Sequence, residues 1–184
     1  MTIIDLIRHG EPDTSIHDDC ARPLTLLGRQ QAQQLARQLH DTPYTAIYSS
    51  PLLRAVETIT PLASAHCLTV IRDHRLVERK MPNWFATEAE FSGSVAHQWE
   101  DLRYCRGGGE SIQAAQSRYL AFMQELPANA WVAAGAHGTA MSSVVEAATP
   151  GAGFRFWKQL RDAEGLRVTM HSGAITQLAA FRSK

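Results

Sequence analysis

The sequence predicts a three-layer α/β/α sandwich around a mostly parallel central sheet, with an insertion at about 80–106 lying over the site. Three observations carry this. Strand-like and helix-like runs alternate from the first residues onward, the pattern of parallel strands joined by crossover helices. The chain has 184 residues, 45% of them apolar and 20% charged, enough for one substantial core and too few for two comfortable ones. A single domain over 1–184 is therefore expected. Between Lys80 and Arg106 the periodicity lapses while aromatic residues gather, as in a segment packed over the main body.

Each element has its own signal. Thr2 to Ile7 is apolar and β-branched, bounded by Arg8-His9-Gly10, and predicts a buried strand. Leu24 to His40 carries Leu27, Ala32, Leu35 and Leu39 at helical spacing, with Thr25 as the cap. Tyr44 to Tyr48 predicts a second strand that runs into Ser49-Ser50-Pro51, where a serine cap followed by proline marks a helix start. That helix is expected to reach about Ala65, and Leu68 to Ile71 to form a third strand. The stretch from Lys80 holds Trp84, Phe85, Phe91, Trp99 and Tyr104 among polar residues and is expected to be partly helical. Glu110 to Leu126 is an amphipathic helix, with Ile112, Ala115, Tyr119, Phe122 and Leu126 on one side. Trp131 to Ala136 predicts a strand, Thr139 to Ala148 a helix, and Leu166 to Met170 and Ala174 to Ala180 two last strands.

Composition narrows the function classes. Lys plus Arg and Asp plus Glu both count 18, so the formal net charge is zero. No basic excess drives binding to nucleic acid or to an anionic membrane surface. Apolar stretches fall far short of the ~18–20 residues of a membrane helix, and Met1 to Gly10 has neither a basic leader nor a cleavable apolar region. Cys20, Cys67 and Cys105 are odd in number and widely spaced, fitting neither a disulfide framework nor paired metal ligands. A cytoplasmic, enzyme-sized domain is expected, with neither nucleic acid nor membrane as a partner.

In open α/β sheets the ligand site lies outside the carboxyl ends of the strands. The predicted strands are followed by Arg8-His9-Gly10, by Ser49-Ser50-Pro51 with Arg54, by Glu78, and by His137-Gly138. This set is cationic and sized for an anion such as phosphate. Arg54 stands in the first turn of its helix, where a cation opposes the helix dipole unless an anion binds there; its bland alternative is a surface pair with Glu57. A neutral imidazole is a competent nucleophile near neutral pH, and planar guanidinium groups suit the charge of phosphoryl transfer. Gly107-Gly108-Gly109 lacks the Lys-Ser or Lys-Thr of a phosphate loop and predicts a hinge. His17, His40, His66, His74, His97 and His171 show no ligand spacing, so no metal and no cofactor are expected.

Leu6-Ile7-Arg8-His9-Gly10-Glu11 resembles the signature of the histidine phosphatase superfamily, which includes the cofactor-dependent phosphoglycerate mutases. Leu24-Thr25-Leu26-Leu27-Gly28-Arg29-Gln30-Gln31-Ala32 resembles the start of the family's first helix, and the run from Ser49 to Thr58 its second arginine motif. Gly108-Gly109-Glu110-Ser111 and Ala136-His137-Gly138 match later landmarks, so the resemblance spans Ile3 to about Leu178. It implies that His9 attacks phosphorus and becomes a phosphohistidine. It implies that Arg8, Arg54 and His137, with Gly138 beside them, bind the phosphoryl oxygens, and that Glu78 serves as general acid and then base. After Glu78 the chain reads Arg79-Lys80-Met81-Pro82-Asn83-Trp84-Phe85, where many members carry a glycine and a second acidic or aromatic motif. The resulting expectation is a metal-independent phosphomonoester hydrolase acting on a small phosphorylated substrate. The alternatives are phosphoglycerate-mutase-type transfer and a non-catalytic phosphate-binding module.

Overall fold

The first strand buries apolar side chains on both faces, Ile4 and Leu6 on one and Ile7 on the other, and so requires cover on both sides. The computed structural model, which describes residues 1–81, 87–105 and 107–182, supplies it. Strands β1 (Thr2–Arg8), β2 (Ala46–Ser49), β3 (Val70–Arg72), β4 (Trp131–Ala136), β5 (Gly165–His171) and β6 (Ala174–Phe181) form one sheet in the order β3-β2-β4-β1-β5-β6. The pairs β1–β4, β2–β4 and β2–β3 are parallel, while β5 and β6 extend the sheet antiparallel. Helices α1 (Leu26–Gln38) and α2 (Leu53–Ala65) cover one face around Leu35, Ile47, Ile59 and Leu62. Helix α3 (Glu88–Glu100) comes next in the chain, and α4 (Ile112–Gln124), α5 (Gly138–Ala148) and α6 (Gly153–Gln159) cover the other face around Tyr119, Phe122, Met141 and Val144. The predicted sandwich and its mostly parallel sheet are what the structure contains.

The differences are local and have causes. Helix α2 starts at Leu53, and its cap residue Leu52 makes no side-chain capping bond. The expected serine contact is present two residues earlier: the Ser50 hydroxyl accepts from Leu52 N–H at 3.3 Å and also meets His137 Nε2 at 2.8 Å. Leu27 is 49% exposed; the buried face of α1 runs through Gly28, Ala32, Leu35 and Ala36, with Thr25 capping the helix as expected. Helix α6 was not predicted, since seven residues are too few to show a period. Within the insertion α3 is helical and capped by Thr87, whereas Trp84 and Phe85 lie outside the described residues. No helix among the described residues is long and apolar enough to cross a membrane.

One polar residue sits inside the sheet. Asp5 of β1 is fully buried, and every contact to it is a donor. The Arg167 guanidinium donates from Nε and Nη2 at 2.8 Å each, the Tyr44 hydroxyl at 2.6 Å and Trp131 Nε1 at 3.3 Å. Burial and the Asp5 charge push the Tyr44 hydroxyl pKa upward, so it remains the donor. Replacing Asp5 with alanine strands those donors and is expected to cost roughly 3 kcal/mol. For a chain this long that lowers Tm by about 6–12 °C. A calorimetric shift within about 2 °C of wild type would show that the network contributes little.

Candidate active site

The parallel strands β1, β2 and β4 end together, at Arg8, Ser49 and Ala136. Backbone bonds stitch the segments beyond these ends to one another: His9 N–H donates to the Ala136 carbonyl at 3.1 Å and Ser50 N–H to the Gly135 carbonyl at 2.8 Å. Thr58 of α2 links the two arginine-bearing segments. Its hydroxyl accepts from Gly10 N–H at 2.9 Å and donates to the Arg54 carbonyl at 2.7 Å. The loop after His9 lies flat on the first turn of α1. A Cβ on Gly28 would come within 2.3 Å of the Glu11 carbonyl, and one on Gly10 within 2.7 Å of the Gly28 carbonyl, so both positions need glycine for close approach.

His9 is 8% exposed and its tautomer follows from one contact. Nδ1 lies 2.8 Å from the Gly10 carbonyl, which can only accept, so Nδ1 carries the proton and Nε2 keeps its lone pair. Burial first, then the charge of Arg54, lowers the pKa from 6.5 to about 3. The ring is therefore neutral at physiological pH. The His137 ring lies 5.3 Å from it, centroid to centroid, fully buried, with Nε2 on the Ser50 hydroxyl and Nδ1 without a partner among the described residues. Burial holds His137 neutral as well.

The cations surround these rings. Arg54 is 3% exposed; its Nη1 donates to the Asp19 carbonyl at 2.7 Å and pairs with the Asp19 carboxylate at 3.1 Å. Glu57 instead accepts from Leu24 N–H and approaches Arg29, so the surface pairing of Arg54 with Glu57 does not occur. Arg8 donates from Nη1 to the Leu160 carbonyl at 2.7 Å and pairs through Nη2 with Asp162 at 3.0 Å. Gly138 lies against it: a Cβ there would meet Arg8 Nε at 3.4 Å. Arg22 was missed by sequence reasoning. It is buried, shares Asp19 with Arg54, and after burial its charge adds to the lowering of the His9 and Arg54 pKa values. Standing in a loop just before Pro23-Leu24-Thr25, it has no periodicity to mark it.

Glu78 is half-buried and bound to the main chain. Its Oε2 accepts from Thr139 N–H at 3.0 Å, and its Oε1 from Ala140 N–H at 2.9 Å and Arg79 N–H at 2.7 Å. It therefore caps α5, whose own cap residue His137 makes no side-chain capping bond, an arrangement favoured by the helix dipole. The cations next to Glu78 in sequence are engaged elsewhere: Arg75 pairs with Asp73 and Glu125, and Arg79 is buried against Gln98 and Met81. Arg118 of α4 holds the backbone beneath. It donates to the carbonyls of Arg75, Val77 and Glu78 while its fork grips Glu110. Glu110, expected to be helical, thus precedes the Ser111 cap and anchors this clamp.

Arg8, His9, Glu78, Gly138 and Thr139 line a cavity of about 710 Å³, walled on its outer side by α3 and α6. Helix α3, the described helix of the insertion, thus lies over Arg8, His9, Glu78 and Gly138, whereas Arg54 and His137 do not line this cavity. Among the described residues no group of three or more His, Cys, Asp or Glu side chains is arranged to hold a metal ion.

Comparison with known proteins adds a family. The family model of the histidine phosphatase superfamily (branch 1) matches residues 4–179. Phosphoserine phosphatase 1 of Hydrogenobacter thermophilus is 29% identical over 144 residues, covering 71% of this chain and 67% of that protein. The 2,3-bisphosphoglycerate-dependent phosphoglycerate mutase 2 of Gloeobacter violaceus is 26% identical over 163 residues, 79% and 74% of the two chains. A solved mycobacterial glucosyl-3-phosphoglycerate phosphatase, in complex with inorganic phosphate, is 26% identical with a TM-score of 0.79 over 98% of this chain and 95% of that one.

Proposed function

Because the chain belongs to the histidine phosphatase superfamily (branch 1), we propose that it is a phosphomonoester hydrolase, one domain over 1–184, that works through a phosphohistidine on His9. The observation that carries this is His9 itself: buried, neutral, with Nδ1–H fixed on the Gly10 carbonyl and Nε2 left to attack. In the first step Nε2 bonds to phosphorus as the ester P–O bond breaks, and the departing oxygen takes the Glu78 proton to leave as an alcohol. In the second, water attacks phosphorus and gives a proton to Glu78. The P–N bond breaks and inorganic phosphate departs. Arg8, Arg22, Arg54 and His137 hold the phosphoryl oxygens and stabilise their charge, so neither metal nor cofactor enters the cycle. Three exposed, unpaired cysteines suit a reducing compartment such as the cytoplasm.

The similarity to a phosphoglycerate mutase favours one second reading, in which the phosphohistidine returns its group to a sugar-acid hydroxyl. Pre-steady-state mixing with 4-nitrophenyl phosphate separates the classes. A hydrolase releases a burst of nitrophenol matching the enzyme concentration and then inorganic phosphate at the steady rate. A mutase gives the burst but passes the group to added phosphoglycerate in preference to water, and a binding module gives no burst. Arg54→Ala is expected to weaken inorganic phosphate and slow turnover together, since a charge-assisted contact contributes ~1.5–3 kcal/mol. Calorimetry showing wild-type phosphate affinity in that variant would remove Arg54 from the site.

A further inference from the structure

We propose that the cavity beside His9 selects phosphate monoesters whose leaving group is a flat aromatic body carrying a second negative charge, the body lying against Phe91, Phe154 and Trp157 and the charge at Lys158. This rests on the monoester reading above and names the substrate class of the same site.

Two helices build the wall. Phe154 and Trp157 of α6 lie 5.9 Å apart, nearly parallel at 16°, and Phe91 of α3 tilts against Trp157 at 6.4 Å. Behind them Trp99 of α3 stacks on Phe154 at 6.2 Å, which fixes the plane of the wall. Phe91, Phe154 and Trp157 are each half-buried and line the cavity with Arg8, His9 and Glu78. Half-exposed rings in the cavity that also holds Arg8 and His9 gain contact from a flat apolar partner. On α3 the lining residue Gly93 is exposed, and a Cβ there would meet no atom of the described residues within 4 Å.

Lys158 sets the charge. Its Nζ lies 4.2 Å from the centre of the Phe154 ring and lines the same cavity. The arginines nearer His9 already have acidic neighbours, Arg8 in Asp162 and Arg54 in Asp19, and the Glu78 oxygens are taken by main-chain N–H groups. Among the described residues Lys158 meets the Phe154 ring and no carboxylate. Lys158 is exposed, and an anionic group at the far end of an aromatic leaving group would meet its ammonium at the rim of the cavity.

Four phosphonates, which bind without being cleaved, test this by calorimetry: ethyl-, cyclohexylmethyl-, benzyl- and 4-carboxybenzylphosphonate. Affinity is expected to rise along that series, with benzyl about fivefold tighter than cyclohexylmethyl and the carboxylate adding about threefold. Lys158→Gln collapses the carboxylate ratio towards one, and Trp157→Leu, which stays apolar but removes the aromatic ring, collapses the benzyl-to-cyclohexylmethyl ratio. Each ratio is taken within one variant, so partial loss of folded protein cancels. Equal affinities across the series, or ratios that survive both substitutions, overturn the proposal. Graded binding without cleavage of the corresponding monoesters overturns the hydrolase reading and leaves the subsite standing; cleavage with ungraded binding does the reverse.

Discussion

Replacing His9 with alanine is expected to abolish steady-state turnover, a loss of roughly 10⁴- to 10⁶-fold, as for other enzymes deprived of a covalent nucleophile. Inorganic phosphate should still bind, because Arg8, Arg22 and Arg54 remain. The loss follows from a lone pair that is available only while the imidazole is neutral. With its pKa lowered from 6.5 to about 3 by burial and by Arg54, His9 stays neutral throughout the range of about pH 5 to 8 in which an ordinary histidine titrates. Proton-nitrogen correlation spectra should show one Nδ1–H imidazole at this position that does not titrate in that window. The same shift links to stability. Below pH 6.5 the unfolded chain takes up a proton that folded His9 refuses, so stability falls as pH drops from 6.5 towards 3 and is unaffected by this group above that range. A His9 ring that protonates near its ordinary pKa of 6.5 would place it in water rather than in the pocket described.

Glu78→Gln is expected to slow alkyl phosphates by about 10²- to 10⁴-fold while sparing the first step with an activated aryl ester. A basic alkoxide cannot leave without a proton, whereas nitrophenolate needs none. Benzyl and 4-nitrophenyl phosphate therefore make the informative pair in single-turnover experiments. With the aryl ester the phosphohistidine should accumulate, because the residue that would activate water in the second step is missing. The substitution also disturbs structure: an amide nitrogen cannot accept the main-chain N–H groups that the second Glu78 oxygen now accepts. That contribution depresses both substrates equally and lowers Tm. Equal losses for benzyl and nitrophenyl phosphate would reduce Glu78 to a cap for α5.

The fold and most of the candidate site were legible for one physical reason. Parallel strands buried on both faces read as short apolar runs, and the residues just beyond such runs collect at one edge of a sheet. Arg8, His9, Arg54 and His137 could be gathered by that rule from the sequence alone. Arg22 could not, because it reaches the site from a loop whose course is set by Asp19, Ile16 and His17 contacts rather than by a pattern. At Ser49-Ser50-Pro51 the capping signal told only half of the role, because the Ser50 hydroxyl accepts from Leu52 N–H at the helix start and also meets the His137 imidazole. Helix α6 was invisible at seven residues, and its Phe154 and Trp157 turn out to wall the cavity. Gly107-Gly108-Gly109 read as a hinge before a helix at Glu110, while Glu110 itself serves the Arg118 clamp under Glu78.

The central claim is a covalent bond between phosphorus and His9 Nε2, and rapid quenching with a phosphorus-labelled aryl monoester tests it most directly. The account predicts a labelled protein, formed in the presence of chelator, whose label is lost in acid, survives base, maps to the peptide containing His9 and is absent from His9→Ala. A label that resists acid, or one that persists after His9→Ala, would contradict it.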